Sequence, residues 1–152
     1  MQNSSATLTQ VTLARPDDWH LHLRDGAALN AVLADTAKRF ARAIVMPNLK
    51  PPVTTVALAD AYRQRIIAAL PADVQFQPLM TLYLTEATAP NEIDAAVASE
   101  FVHAVKYYPA GATTNSDSGV IDLARCAAVL DGPMSIPLPP DSLTALTTNS
   151  SK

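Results

Sequence analysis

Apolar and polar positions change period several times along the chain. Residues 11–13 and 19–23 are short apolar-rich pieces on either side of the turn Arg15-Pro16-Asp17-Asp18, and both read as strands. Over 26–40 the apolar residues Ala28, Leu29, Val32, Leu33, Ala37 and Phe40 recur at three- and four-residue intervals, which predicts a helix with one buried face. Ala43-Ile44-Val45-Met46 is a continuous apolar run stopped by Pro47-Asn48, the pattern of a strand covered on both faces. Thr54 or Thr55 then caps a helix over about 56–70, with Leu58, Ala61, Tyr62, Arg65 and Ile66 at helical spacing and Pro71 beyond its end.

The alternation repeats as a strand over 76–84, a helix over 91–99 and a strand over 101–108. A loop rich in Gly, Ser, Thr and Asn over 111–119 leads to a helical stretch over 121–130, where Cys126 serves as a small core residue. About four βα units in succession predict an α/β fold with a parallel sheet. That sheet is either a small open one or half of an eight-unit barrel, since a complete barrel takes about 250 residues and the chain has 152. Residues 131–152 differ in kind. They hold four prolines and seven serines and threonines without a helical or strand period, so they read as an irregular tail. Prolines 133, 137, 139 and 140 block a fifth strand where the rhythm calls for one. The expected organisation is a polar lead over 1–10, one domain over 11–130 and the tail.

Charge narrows the function classes. The formal net charge is −3 and no block of Lys or Arg occurs, which argues against nucleic acid and anionic membranes as partners. The lead has neither a basic n-region nor an apolar h-region, and no window approaches 18 apolar residues, so a cytoplasmic location is expected. A single cysteine allows no intrachain disulfide and no cysteine-based zinc site.

The sharpest chemical feature is Asp18-Trp19-His20-Leu21-His22-Leu23-Arg24-Asp25, where polar and apolar residues alternate strictly. On a strand this places His20, His22 and Arg24 on one face, with the imidazoles about 7 Å apart along the strand and able to converge on one metal ion. The competing reading is a half-exposed strand whose outward side carries ordinary polar residues. Ligands of parallel α/β folds bind at the C-terminal strand ends, which favours the site. His103, the remaining histidine, shares its strand face with Phe101, Val105 and Tyr107 and reads as structural. Lys106 in a buried strand must reach water, become neutral or be modified. Asn48 follows the second strand and could point an amide into the same pocket, although alone it reads as a loop residue.

Taken in series, residues 15–25, Ala43-Ile44-Val45-Met46-Pro47-Asn48, Pro51-Pro52-Val53-Thr54-Thr55, Val105-Lys106-Tyr107-Tyr108-Pro109-Ala110 and Ala112-Thr113-Thr114-Asn115-Ser116 closely resemble the homodimeric, bacterial-type dihydroorotases of the metal-dependent amidohydrolase superfamily. The resemblance runs in unbroken order over roughly 11–130. It implies the N-terminal half of a TIM (β/α)8 barrel and the reversible, zinc-dependent cyclisation of N-carbamoyl-L-aspartate to dihydroorotate in pyrimidine synthesis. It also implies roles for single residues. His20 and His22 resemble ligands of the more buried of two zinc ions, and Lys106 resembles the carbamylated lysine that bridges both. Arg24 and Asn48 resemble the groups that bind the substrate carboxylate, with the backbone around His22 also touching substrate.

The sequence departs from the family's pattern at about Asp131. Later strands of the family supply two further histidines and the aspartate that shuttles the proton, whereas no histidine follows His103 here and Asp141 lies in the tail without strand context. The expectation is therefore a truncated or frameshifted dihydroorotase with ligands for an incomplete zinc site, turning over weakly or not at all alone. The alternatives are a non-catalytic module that binds metal or pairs with another subunit through its open sheet edge, and a related cyclic amidohydrolase such as a hydantoinase. Arg24 with Asn48 favours an anionic substrate over a neutral hydantoin ring.

Overall fold

In a computed structural model that describes residues 12–112 and 114–131, the alternation resolves into β1 (Asp17–Leu21), α1 (Gly26–Arg39), β2 (Arg42–Val45), α2 (Val56–Ala68), β3 (Gln77–Tyr83), α3 (Pro90–Ala98), β4 (Val102–Lys106) and a final short helix, α4 (Ala127–Leu130). The strands pair in parallel in the order β1-β2-β3-β4, as a run of right-handed βα units requires. The polar lead, Val11 and residues 132–152 with Asp141 lie outside the described residues.

The first two helices start where a local group meets their free N–H groups. The Asp25 side chain accepts from the Gly26 N–H at the head of α1. Thr55 accepts from the Leu58 N–H at the head of α2, and the Glu92 carboxylate on α3 accepts from the Val56 N–H at 3.0 Å. Pro90, whose missing N–H costs nothing there, opens α3.

Strand residues of one parity face the helices and fill the main core. Leu23, Ala43, Val45, Met80, Leu82 and Val102 pack there with Leu29, Leu33 and Ala37 of α1 and Ala59, Tyr62 and Ile66 of α2. The other parity faces inward, where Ile44, Met46 and Leu79 make a smaller apolar patch. At the N-terminal end of this inner face Asp17 and Arg42 form a half-buried ion pair at 2.6 Å.

Two irregularities decide which side chains face inward. On β4, Val102 pairs with Met80 but Ala104 with Thr81, so two residues of β4 advance against one of β3. Val102 therefore joins the helix-side core while Lys106, of the same parity, turns to the opposite face. On β1, Asp18 pairs with Ala43 and Leu21 with Val45, a comparable slip around Trp19 and His20.

Several expected elements shift. Thr12 and Leu13 are exposed and outside any strand, and β1 ends at Leu21 because Arg24 turns the chain into α1 with φ 62°. The buried stripe of α1 is Leu29, Leu33 and Ala37, leaving Ala28 and Val32 in solvent. On α2, Tyr62 and Ile66 are buried with Ala59, whereas Leu58, Ala61 and Arg65 line a cavity at the strand ends. The expected helix over 121–130 begins only at a 3₁₀ turn, Leu123–Cys126, because the Glu86 carboxylate takes the N–H groups of Ile121 and Asp122. Cys126 is buried beside Leu84, Ile93 and Val129, and burial pushes its thiol pKa up.

Candidate functional site

The C-terminal ends of β1, β2 and β4 carry the sequence-derived candidates, because His20, Met46 and Lys106 end up on one inner face. The Lys106 Nζ stands 2.9 Å from the His20 Nε2 and donates to the Met46 Sδ at 2.8 Å. It also lies 4.5 Å from the centre of the Tyr108 ring, a cation–π contact. The His20 and His22 ring centres are 5.2 Å apart. His20, His22 and Lys106, separated by up to 86 residues in sequence, thus form one cluster.

This cluster is electrostatically one-sided. Partial burial pulls the His22 pKa down, and the charges of Arg24, Lys106 and His20 lower it further. A neutral imidazole is the form that ligates a metal. Among the described residues, no three His, Cys, Asp or Glu side chains gather into a metal-holding group. The available donors are two imidazoles and a primary amine. A protonated amine cannot ligate, and the Lys106 amine meets an imidazole nitrogen, a thioether sulfur and an aromatic ring. The donor set fits a metal once the lysine carries an anionic oxygen donor, as in a carbamate.

Arg24 and Asn48 occupy the adjoining wall. The Arg24 Nη1 donates to the Asn48 carbonyl oxygen at 3.3 Å, and the Asn115 side-chain amide donates to the same oxygen at 3.2 Å. Asn48 is 1% exposed, and its side-chain nitrogen and oxygen have no hydrogen-bond partner among the described residues. A buried amide in that state carries an uncompensated cost of about 1–3 kcal/mol, so it is a polar group prepared for a ligand or water. The cavity beside it measures about 330 Å³ and is lined by Arg24, Asn48, Val53, Arg65 and Asn115 among others. That volume suits a small organic molecule.

Four residues at the site were not singled out by the sequence. Met46 contacts Lys106, and Asn115, in the left-handed region with φ 58°, crosses from the β4 loop to Asn48. Tyr62 and Arg65 of α2 grip the backbone and side chain of residues 24 and 25: the Tyr62 hydroxyl donates to the Arg24 carbonyl, and Arg65 forks onto Asp25 at 3.1 and 2.8 Å. The 3.6-residue period made Tyr62 a core residue, and nothing local ties it to a carbonyl 38 positions earlier.

Comparison with known proteins bears on this geometry. No family model matches the chain. A dihydroorotase from Cupriavidus taiwanensis is 71% identical over 130 residues, which is 86% of this chain and 38% of that protein. A dihydroorotase from Synechocystis is 68% identical over 132 residues, 87% of this chain and 39% of that protein. Among solved structures, a dihydroorotase from Campylobacter jejuni superposes with a TM-score of 0.69 at 37% identity, over 76% of this chain and 34% of that one. A Saccharomyces cerevisiae dihydroorotase in complex with 5-fluoroorotic acid gives 0.66 at 33% identity, over 75% of this chain and 31% of that one. The chain therefore spans a little over a third of the length of the curated relatives it matches. Four parallel βα units, superposition on solved dihydroorotases and identity near 70% agree, and over the matched span the chain belongs to the dihydroorotase family.

Proposed function

We propose that this chain supplies the first metal-binding and carboxylate-binding elements of a dihydroorotase, the enzyme that reversibly cyclises N-carbamoyl-L-aspartate to dihydroorotate. The observation that carries this reading is the convergence of His20, His22 and Lys106 on the inner face beside Arg24 and Asn48. In it residues 11–130 act as one amidohydrolase unit and His20 and His22 hold zinc. Lys106, as an N6-carboxylysine, contributes an oxygen ligand in place of a cation. A zinc ion held there would supply Lewis-acid polarisation of a carbonyl and lower the pKa of a bound water toward neutrality.

The chain's own residues handle the substrate. Arg24 offers a charged fork to a carboxylate, and the Asn48 amide, without a partner among the described residues, offers a donor beside it. The backbone around His22 to Arg24 completes that wall. The yeast relative's complex with a pyrimidine carboxylic acid supports an anionic ring as ligand, in preference to a neutral hydantoin. Two imidazoles and one modified lysine complete only part of a binuclear site, so turnover by this chain alone is slow or absent. A subunit partner, as in the homodimeric members of the family, belongs to the same proposal. No described helix is long and apolar enough to cross a membrane.

Zinc content and dihydroorotate turnover of the purified chain test the proposal, with His20→Ala and Lys106→Ala as controls. Zinc uptake by the wild-type chain and its loss in both variants is the expected result. Intact mass of zinc-loaded protein should show the carbamate on Lys106. Absence of zinc uptake, or uptake indifferent to both substitutions, overturns the site assignment.

A further inference from the structure

Arg24 has a backbone conformation that an arginine rarely adopts unaided. Its φ of 62° lies in the left-handed region, where the side chain crowds the following carbonyl, and beyond the extended Asp25 a second positive φ, 56°, falls on Gly26. Such a geometry persists only where its surroundings over-determine it. Here the surroundings are one face of α2. Tyr62 is wholly buried, and its hydroxyl donates to the Arg24 carbonyl. A buried phenol needs a partner, and this carbonyl is the partner it finds. One turn further along the same helix, Arg65 forks onto Asp25 and stacks over the Tyr62 ring at 5.4 Å. Asp25 in turn caps α1. The peptide that joins Arg24 to Asp25 and the Asp25 carboxylate are thereby fixed to α2, and the Arg24 guanidinium is left aimed at the Asn48 carbonyl and the cavity.

Resting on the carboxylate-binding role proposed for Arg24, we infer that Tyr62 is the positioning residue for that role: its hydroxyl locks the Arg24 backbone in the left-handed turn that points the guanidinium into the ligand cavity. Tyr62 does not touch the ligand and acts through Arg24. Burial pushes the phenol pKa well above its ordinary value, which favours the protonated O–H that the Arg24 carbonyl accepts. The ring fills the main core, so the hydroxyl alone carries the positioning function.

The test compares the full chain with Tyr62→Phe, Arg24→Ala and the double variant, by calorimetric titration with 5-fluoroorotate in the presence of zinc. Loss of one hydrogen bond that orients the guanidinium should weaken binding about fivefold in Tyr62→Phe. Arg24→Ala should weaken it more, and the double variant no further than Arg24→Ala alone, because both changes act on the same guanidinium. Unchanged affinity in Tyr62→Phe, or losses that add in the double variant, overturn the inference.

If the wild-type chain takes up no 5-fluoroorotate, the carboxylate reading fails separately, and solved structures of wild type and Tyr62→Phe decide the positioning claim. Arg24 leaving the left-handed region in the variant supports it, and Arg24 keeping a positive φ overturns it. Should Tyr62→Phe not fold, NMR of the wild-type chain serves instead. A slowly exchanging Tyr62 hydroxyl proton in contact with Arg24 supports the inference, and a freely exchanging one overturns it.

Discussion

The two faces of the same four strands have opposite characters. Toward the helices, Leu23, Val45, Met80, Leu82 and Val102 meet the apolar stripes of α1 and α2 in one continuous core, and nearly every side chain there has an apolar neighbour. Inward, the apolar patch is limited to Ile44, Met46 and Leu79, and the next layer toward the strand ends holds His20, His22, Asn48, Thr81 and Lys106. Asn48, Thr81 and Tyr83 keep buried polar atoms without partners among the described residues. One face thus stabilises the fold, and the other holds groups whose burial opposes it. The difference teaches that alternate residues of one strand can serve stability and chemistry independently.

Substitutions on the two faces should therefore separate stability from ligand and metal binding. The largest effect expected is on the helix side, where Leu82→Ala should cost about 2–5 kcal/mol, read as a shift of the urea midpoint at constant slope. Zinc uptake by the fraction that remains folded should be unaffected. On the inner face Asn48→Leu, similar in volume, should stabilise the chain by about 1–3 kcal/mol by removing the partnerless amide, and it should weaken 5-fluoroorotate binding at the same time. A destabilised Asn48→Leu would mean that the amide is satisfied in solution and the contrast between faces is smaller than drawn here.

Lys106→Met should abolish zinc uptake while moving stability by under about 1 kcal/mol, because it removes a charge that adds to those of Arg24 and His20 around His22. The smallest effect concerns Asp25. The Arg65 fork holds its carboxyl pKa below the ordinary value, so its contribution is present above that value and is lost as pH falls through the lower, folded-state one. Both partners are about half exposed, which limits the contribution to under about 0.5 kcal/mol. Acid unfolding of Asp25→Asn compared with wild type below about pH 4 should show that small step missing in the variant.

Much of this arrangement was legible in one dimension. Period and punctuation placed α1, α2, α3 and the three later strands within a few residues of their observed bounds, since amphipathic spacing and caps such as Thr55 are local signals. The alternation of His20, His22 and Arg24 marked the site strand. It misjudged where the strand ends, because the left-handed turn at Arg24 is enforced from α2 and a non-glycine residue gives no local sign of it. Helical spacing on α2 likewise does not separate core from cavity wall, and of the residues so spaced Tyr62 and Ile66 are buried. Leu58, Ala61 and Arg65 have helical spacing, but they serve the cavity wall.

What the sequence determined by itself is the order of elements, the parallel βα alternation and the chemical identity of the candidate ligands. These follow from short-range steric and hydrophobic periodicity. Tertiary structure alone decided which residues meet and which way they face. Val102 and Lys106 have the same parity on β4, yet one lies in the helix-side core and the other beside His20, because the register slip against β3 reverses the face between them. Strand parity is a local property, whereas register depends on the neighbouring strand, and no pattern within 102–106 encodes it.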